Sequence, residues 1–191
     1  VKSLAEGFAQ DFSRVSHLFL RLRLLHPTIA LLSASFLLTM AFAAQGQAWR
    51  SYHNERFGTI ADVPSDWNSG EPPANNDGLV FSAPDGKASL TVSGILQIEK
   101  KPLKEVLAEQ AAPMANETVT YKAVGPRWVV VSGTAGDKVF YRKSLLSCRG
   151  QIWNSIYLVY PASEQARYKA IVQHVQASLK MGKGYQIANC R

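Results

Sequence analysis

The chain has 191 residues and a formal net charge of +7, from 21 basic and 14 acidic side chains. Apolar residues make up 47% and aromatic residues 10%, a composition that excludes a disordered chain and supplies a core. The basic excess is spread along the sequence, whereas a nucleic-acid binder gathers its charge into a patch or stripe, so no nucleic-acid partner is expected.

The first 44 residues stand apart. Lys2, Arg14, Arg21 and Arg23 lead into a stretch from Thr28 to Ala44 that carries no charge and holds Ile29, Leu31, Leu32, Phe36, Leu37, Leu38, Met40 and Phe42. It closes on Ala41-Phe42-Ala43, a small-x-small cleavage pattern. Two readings follow: a cleaved signal peptide, or an N-terminal helix retained as a membrane anchor through residues 28–44. A core helix of the folded body is the third. Both main readings place residues 45–191 outside the cytoplasm, in the periplasm or secreted, with membrane contact through the N-terminal segment.

The leader holds four of the basic and two of the acidic residues, which leaves 17 against 12 in the remaining 147 residues. That length suits one domain and needs no metal to hold a core. Its two cysteines, Cys148 and Cys190, form an even pair in an oxidising compartment, and one disulfide is expected. Two free or buried thiols are the alternative. The spacing is not C-x-x-C, which speaks against a redox-active site.

Along this domain, residues 45–56 are polar around Trp49 and Tyr52 and read as a linker. Arg56 to Val63 alternates as a strand and stops at Pro64; a turn carries Trp67, and residues 68–77 form a loop. Leu79–Phe81 and Ala88–Ser93 flank Pro84-Asp85-Gly86, a hairpin turn. After Pro102 the apolar positions Leu103, Val106, Leu107, Ala111 and Met114 follow helical spacing, and Pro113 should end that helix. Lys100, Lys101 and Lys104 precede and open it, as a solvated helix start or as a contact for anionic lipid headgroups. Strands are predicted at Val119–Val124, Trp128–Thr134, Val139–Leu146 and Gln151–Tyr160, the last three joined by short turns as an antiparallel meander. Pro161 breaks the last strand. Ser163 is the predicted N-cap of a helix whose face carries Tyr168, Ile171, Val172, Val175 and Leu179, ended by Gly182 and Gly184.

Strands and helices in this order predict an α+β fold: a central antiparallel sheet of about six to seven strands flanked by two helices, behind a hydrophobic leader helix. The residues Asn54-Glu55-Arg56-Phe57-Gly58, Val63-Pro64-Ser65-Asp66-Trp67, Tyr160-Pro161 and the terminal helix with Tyr168, Ile171 and Leu179 resemble the PsbP-like family. The resemblance spans residues 50–180. It implies a central antiparallel sheet with helices on both sides, and an accessory or binding role without catalysis. It transfers no functional residue.

Chemistry-bearing groups are sparse. His53 and His174 are the only histidines after the leader, and neither has a second ligand at metal spacing. Ser132, His174 and Asp137 compose a triad on paper, but Ser132 lies in strand-like sequence without a nucleophile elbow. Asn75-Asn76-Asp77-Gly78 with Asp85-Gly86 is an oxygen-rich group that turn chemistry explains equally well. No phosphate loop or cofactor motif is present. Trp49, Trp67, Trp128 and Trp153 are scattered and read as core. The expectation is a non-enzymatic exported domain that binds an envelope protein or a small ligand. The alternatives are an envelope hydrolase assembled from distant residues and a membrane-tethered structural subunit.

Overall fold

A computed structural model describes residues 46–99, 101–185 and Cys190. The leader and Lys100 lie outside the described residues, and with them the expected signal or anchor helix; the described helices include none long and apolar enough to cross a membrane. The described residues form ten strands and two α-helices. Seven strands build one antiparallel sheet: β3 (Asn68–Ser69), β4 (Gly78–Ser82), β5 (Ser89–Leu96), β6 (Thr118–Val124), β7 (Trp128–Ala135), β8 (Lys138–Ser147) and β9 (Ile152–Pro161), in spatial order β3-β4-β5-β9-β8-β7-β6. The predicted meander is the β7-β8-β9 part of it. A second sheet has β2 (Thr59–Pro64) between β1 (Trp49–His53) and β10 (Lys180–Met181).

Alternation fixes which residues are core. Along β9, Ile156, Leu158 and Tyr160 face one side and Trp153, Tyr157 and Val159 the other. The first side is covered by α2 (Gln165–Ser178) and by β2, through Tyr168, Ile171 and Val175 and through Ala61 and Val63. The second is covered by α1 (Leu103–Gln110), whose Val106 and Leu107 pack with Val129, Val131, Phe140 and Leu146. Sheet faces with a two-residue period and helices with an apolar stripe bury each other in this way. Between the sheets, the wholly buried Asn154 donates to Thr59 Oγ1 at 2.7 Å, and Thr59 donates in turn to Ser93 O at 3.2 Å. These two buried polar side chains thus satisfy each other between the sheets.

Four local expectations change. Residues 49–53 are not a linker but β1, which pairs with β2 from Trp49↔Pro64 to His53↔Ile60. The helix after Pro102 ends at Gln110, before Met114. Pro113 disfavours helical backbone at Ala112, whose carbonyl accepts instead from Arg142 Nη2 at 2.8 Å. Ser163 makes no cap hydrogen bond: it lies in a 3-10 turn, Ala162–Glu164, and the α-helix opens at Gln165. The last helix ends at Ser178, ahead of Gly182, because Leu179 turns extended and Lys180–Met181 joins β2.

Candidate binding surface

The residues singled out by their chemistry are held by local structure and do not converge. His53 Nε2 lies 2.7 Å from Lys183 O. His174 stacks on Trp49 with ring centroids 3.8 Å apart and pairs with Asp62 at 2.9 Å. Ser132 Oγ donates to Phe140 O at 2.7 Å, inside the sheet. The paper triad is therefore not assembled: the carboxylate on His174 is Asp62, and the Ser132 hydroxyl is spent on the neighbouring strand. In the oxygen-rich loop Asn75 Nδ2 donates to Asp77 Oδ2 at 2.8 Å, while Asp85 accepts from Lys87 N and faces Arg167. These are turn contacts, and the two acidic residues answer different partners. Among the described residues no group of three or more His, Cys, Asp or Glu gathers as a metal site. Trp67 and Trp153 are core, but Trp49 and Trp128 are only partly buried.

Cys148 and Cys190 have their sulfurs 2.07 Å apart, at bonding distance, with Cα atoms 5.0 Å apart. They pack beside Phe57, Ile152 and Met181. The turn that carries Cys148 is unusual: Cys148, Arg149 and Gly150 have φ of 50°, 55° and 90°. Two consecutive non-glycine residues in left-handed backbone are strained, and surrounding structure has to hold them there.

That turn overhangs a cleft of about 720 Å³. Its walls come from the end of β5, the start of α1 and the β8–β9 turn. Gln97 N donates to Gln151 O at 2.8 Å, and Trp153 Nε1 donates to Gln97 Oε1 at 3.0 Å, so the strand exit is fixed. Lys101 bridges Glu99 and Glu109, and hydrogen bonds to Glu109 and Glu99 raise its pKa well above the usual lysine range. Arg127 Nε donates to Leu146 O at 3.2 Å, which aims its guanidinium toward Gly150. Against this polar frame stand two exposed apolar side chains that line the cleft: Ile98 is 86% exposed and Leu103 is also open to solvent. Sequence reading missed this surface because it ended the strand at Ser93, whereas β5 runs to Leu96 and delivers Gln97 and Ile98 to the cleft. The available signal was that apolar residues continue past Ser93 to Ile98 before the polar run at Glu99.

No protein-family model matches the chain, and no curated protein matches it in sequence. Solved structures do match it in shape. The cyanobacterial PsbP (CyanoP) of Synechocystis sp. PCC 6803 superposes with a TM-score of 0.53 at 11% identity, over 76% of this chain and 99% of that one. The Ran-binding protein Mog1p of Saccharomyces cerevisiae superposes with a TM-score of 0.50 at 10% identity, over 74% of this chain and all of Mog1p. At such identities the likeness speaks for the fold alone. This chain, with its seven-stranded antiparallel sheet covered by one helix on one face and by a helix and a small sheet on the other, superposes on both: its fold is PsbP-like.

Proposed function

We propose that residues 46–191 form a non-enzymatic domain, exported from the cytoplasm, that binds a protein partner through the cleft beneath the β8–β9 turn. The observation that carries this reading is the pair of exposed apolar side chains Ile98 and Leu103, which line the cleft with Arg127 and Arg149. Clustered exposed apolar side chains are a mark of interaction sites. Arginine at the rim favours a partner segment that offers a carboxylate next to an apolar anchor. Mog1p, of similar fold, is a Ran-binding protein, so the architecture accommodates protein recognition. Export rests on the hydrophobic leader with its small-x-small end, and on two thiols at bonding distance.

A photo-crosslinking residue at position 98 tests the surface in intact cells. A discrete adduct from position 98, absent from position 169 on α2 and lost with Arg149→Glu, is the expected result. Equal adducts at both positions, or none at 98, would remove this reading. Intact mass after fractionation tests export: a chain starting after Ala41-Phe42-Ala43 in the periplasmic fraction is expected. A full-length chain in the membrane fraction would replace it with the anchored form.

A further inference from the structure

A second cleft lies on the opposite face of the seven-stranded sheet, where α2 ends. It measures about 470 Å³, within the roughly 300–1,000 Å³ of small-molecule sites. Three adjacent strands each place an aromatic ring in it: Tyr121 on β6, Trp128 on β7 and Tyr141 on β8. Tyr121 is 57% exposed and forms the outer lip. Trp128 lies against the backbone of Gly125, where any Cβ would fall 2.1 Å from its indole nitrogen, so glycine is what lets the ring lie there. Val130 floors the cleft, and Lys143 and Gln176 close its inner end.

Lys143 is the informative group. Its Nζ donates to Gln176 O at 2.7 Å and to Gln176 Oε1 at 3.1 Å. An ammonium has three donors, so one N–H remains. Among the described residues no carboxylate pairs with it. Burial pushes its pKa down with no opposing charge to restore it. A partly buried cation among aromatic rings, held by neutral acceptors alone, lacks the anion that would offset its desolvation.

We propose that this cleft binds a small planar aromatic carboxylate, its ring stacked among Tyr121, Trp128 and Tyr141 and its carboxylate accepting the remaining N–H of Lys143. The rings select a flat π-system, because offset and edge contacts between aromatics add to plain apolar burial. The lysine selects an anion over a neutral or cationic analogue. The site is separate from the cleft proposed for the protein partner, which lies on the α1 face of the sheet.

Calorimetric titration of the full chain with four probes tests it: indole-3-acetate, indole-3-acetamide, tryptamine and octanoate. Indole-3-acetate should bind saturably and at least ten-fold more tightly than each of the other three. Lys143→Met should abolish the preference for acid over amide, and Tyr121→Ala, at an exposed position, should weaken indole-3-acetate several-fold. No saturable binding of indole-3-acetate up to millimolar concentration would overturn the proposal. Equal affinity for the amide would overturn the role of Lys143, and equal affinity for octanoate that of the rings. If Lys143→Met fails to fold, Tyr121→Ala decides: unchanged affinity in that variant rejects the site.

Discussion

Arg142 and Glu117 carry their charges almost wholly out of solvent, with side chains 4% and 1% exposed and Nη1 3.5 Å from Oε1. Glu117 also accepts from Met114 N at 2.8 Å, and Arg142 reaches Ala112 O, so the pair closes the loop that follows α1 onto the sheet. Removing one member leaves the other buried and uncompensated. Arg142→Met should therefore cost about 3–5 kcal/mol in urea unfolding, and adding Glu117→Gln should recover much of it. Tyr157 donates to the same carboxylate; burial and then that hydrogen bond push its pKa up to about 12. A tyrosine of the unfolded chain ionises near 10. The folded state thus keeps a proton that the unfolded state loses, so this contribution is whole below pH 10 and disappears as pH rises toward 12. Tyr157→Phe should flatten the fall in stability measured by denaturant titration across that window. A signal for this cluster stood in the sequence, since Arg142 shares parity with Phe140 and Leu146 on an alternating strand. Its partner, 25 residues earlier in a loop, had no periodicity to announce it. The even cysteine count pointed to the pair, and Cys148 and Cys190 do lie at bonding distance. Reduction, or Cys190→Ser, should cost about 4 kcal/mol for a closure of 42 residues, and alkylation without reductant should label neither thiol.

Among the elements, β6 is the longer of the two edges of the large sheet, seven residues against the two of β3, and the one more open to unwanted pairing. A register shift between Val119 and Tyr121 and the outward Lys122 blunt it, as natural edges are blunted. Gly133 on β7 makes the shift possible: a Cβ there would stand 1.9 Å from Thr118 O. Gly133→Ala should accordingly destabilise by about 1–3 kcal/mol, read as a lower urea midpoint with unchanged slope. Strong periodicity made β4, β5, β7, β8, β9 and both helices visible beforehand, and Pro84-Asp85-Gly86 gave the hairpin between β4 and β5. What escaped was short or half-exposed. Trp49 to His53 buries only Trp49 and Tyr52, and only in part, so its alternation is faint. Lys180–Met181 is two residues long, and its pairing with β2 is a tertiary event.

At the scale of the molecule, the sandwich was readable because helices and strands alternate in an order that few α+β arrangements satisfy. The second sheet was not, because β2 finds its neighbours at both extremes of the domain. The clefts were less legible still: each draws side chains from three or more segments, and surface shape leaves no period in a sequence. The central strand β2 has β1 on one side and β10, some 120 residues later in the chain, on the other. Ala61 and Val63 of β2 are part of the main core, so the small sheet and the large one stabilise each other. A chain cut after Leu179 should show the consequence, with broadened near-ultraviolet dichroism and a shallower urea transition than the whole protein.

Until Lys180 has left the ribosome, β2 lacks its second neighbour and the small sheet is incomplete. A nascent polypeptide built this way stays open until synthesis has passed its final strand. For the exported domain proposed above, such lateness would keep the path through a translocon clear.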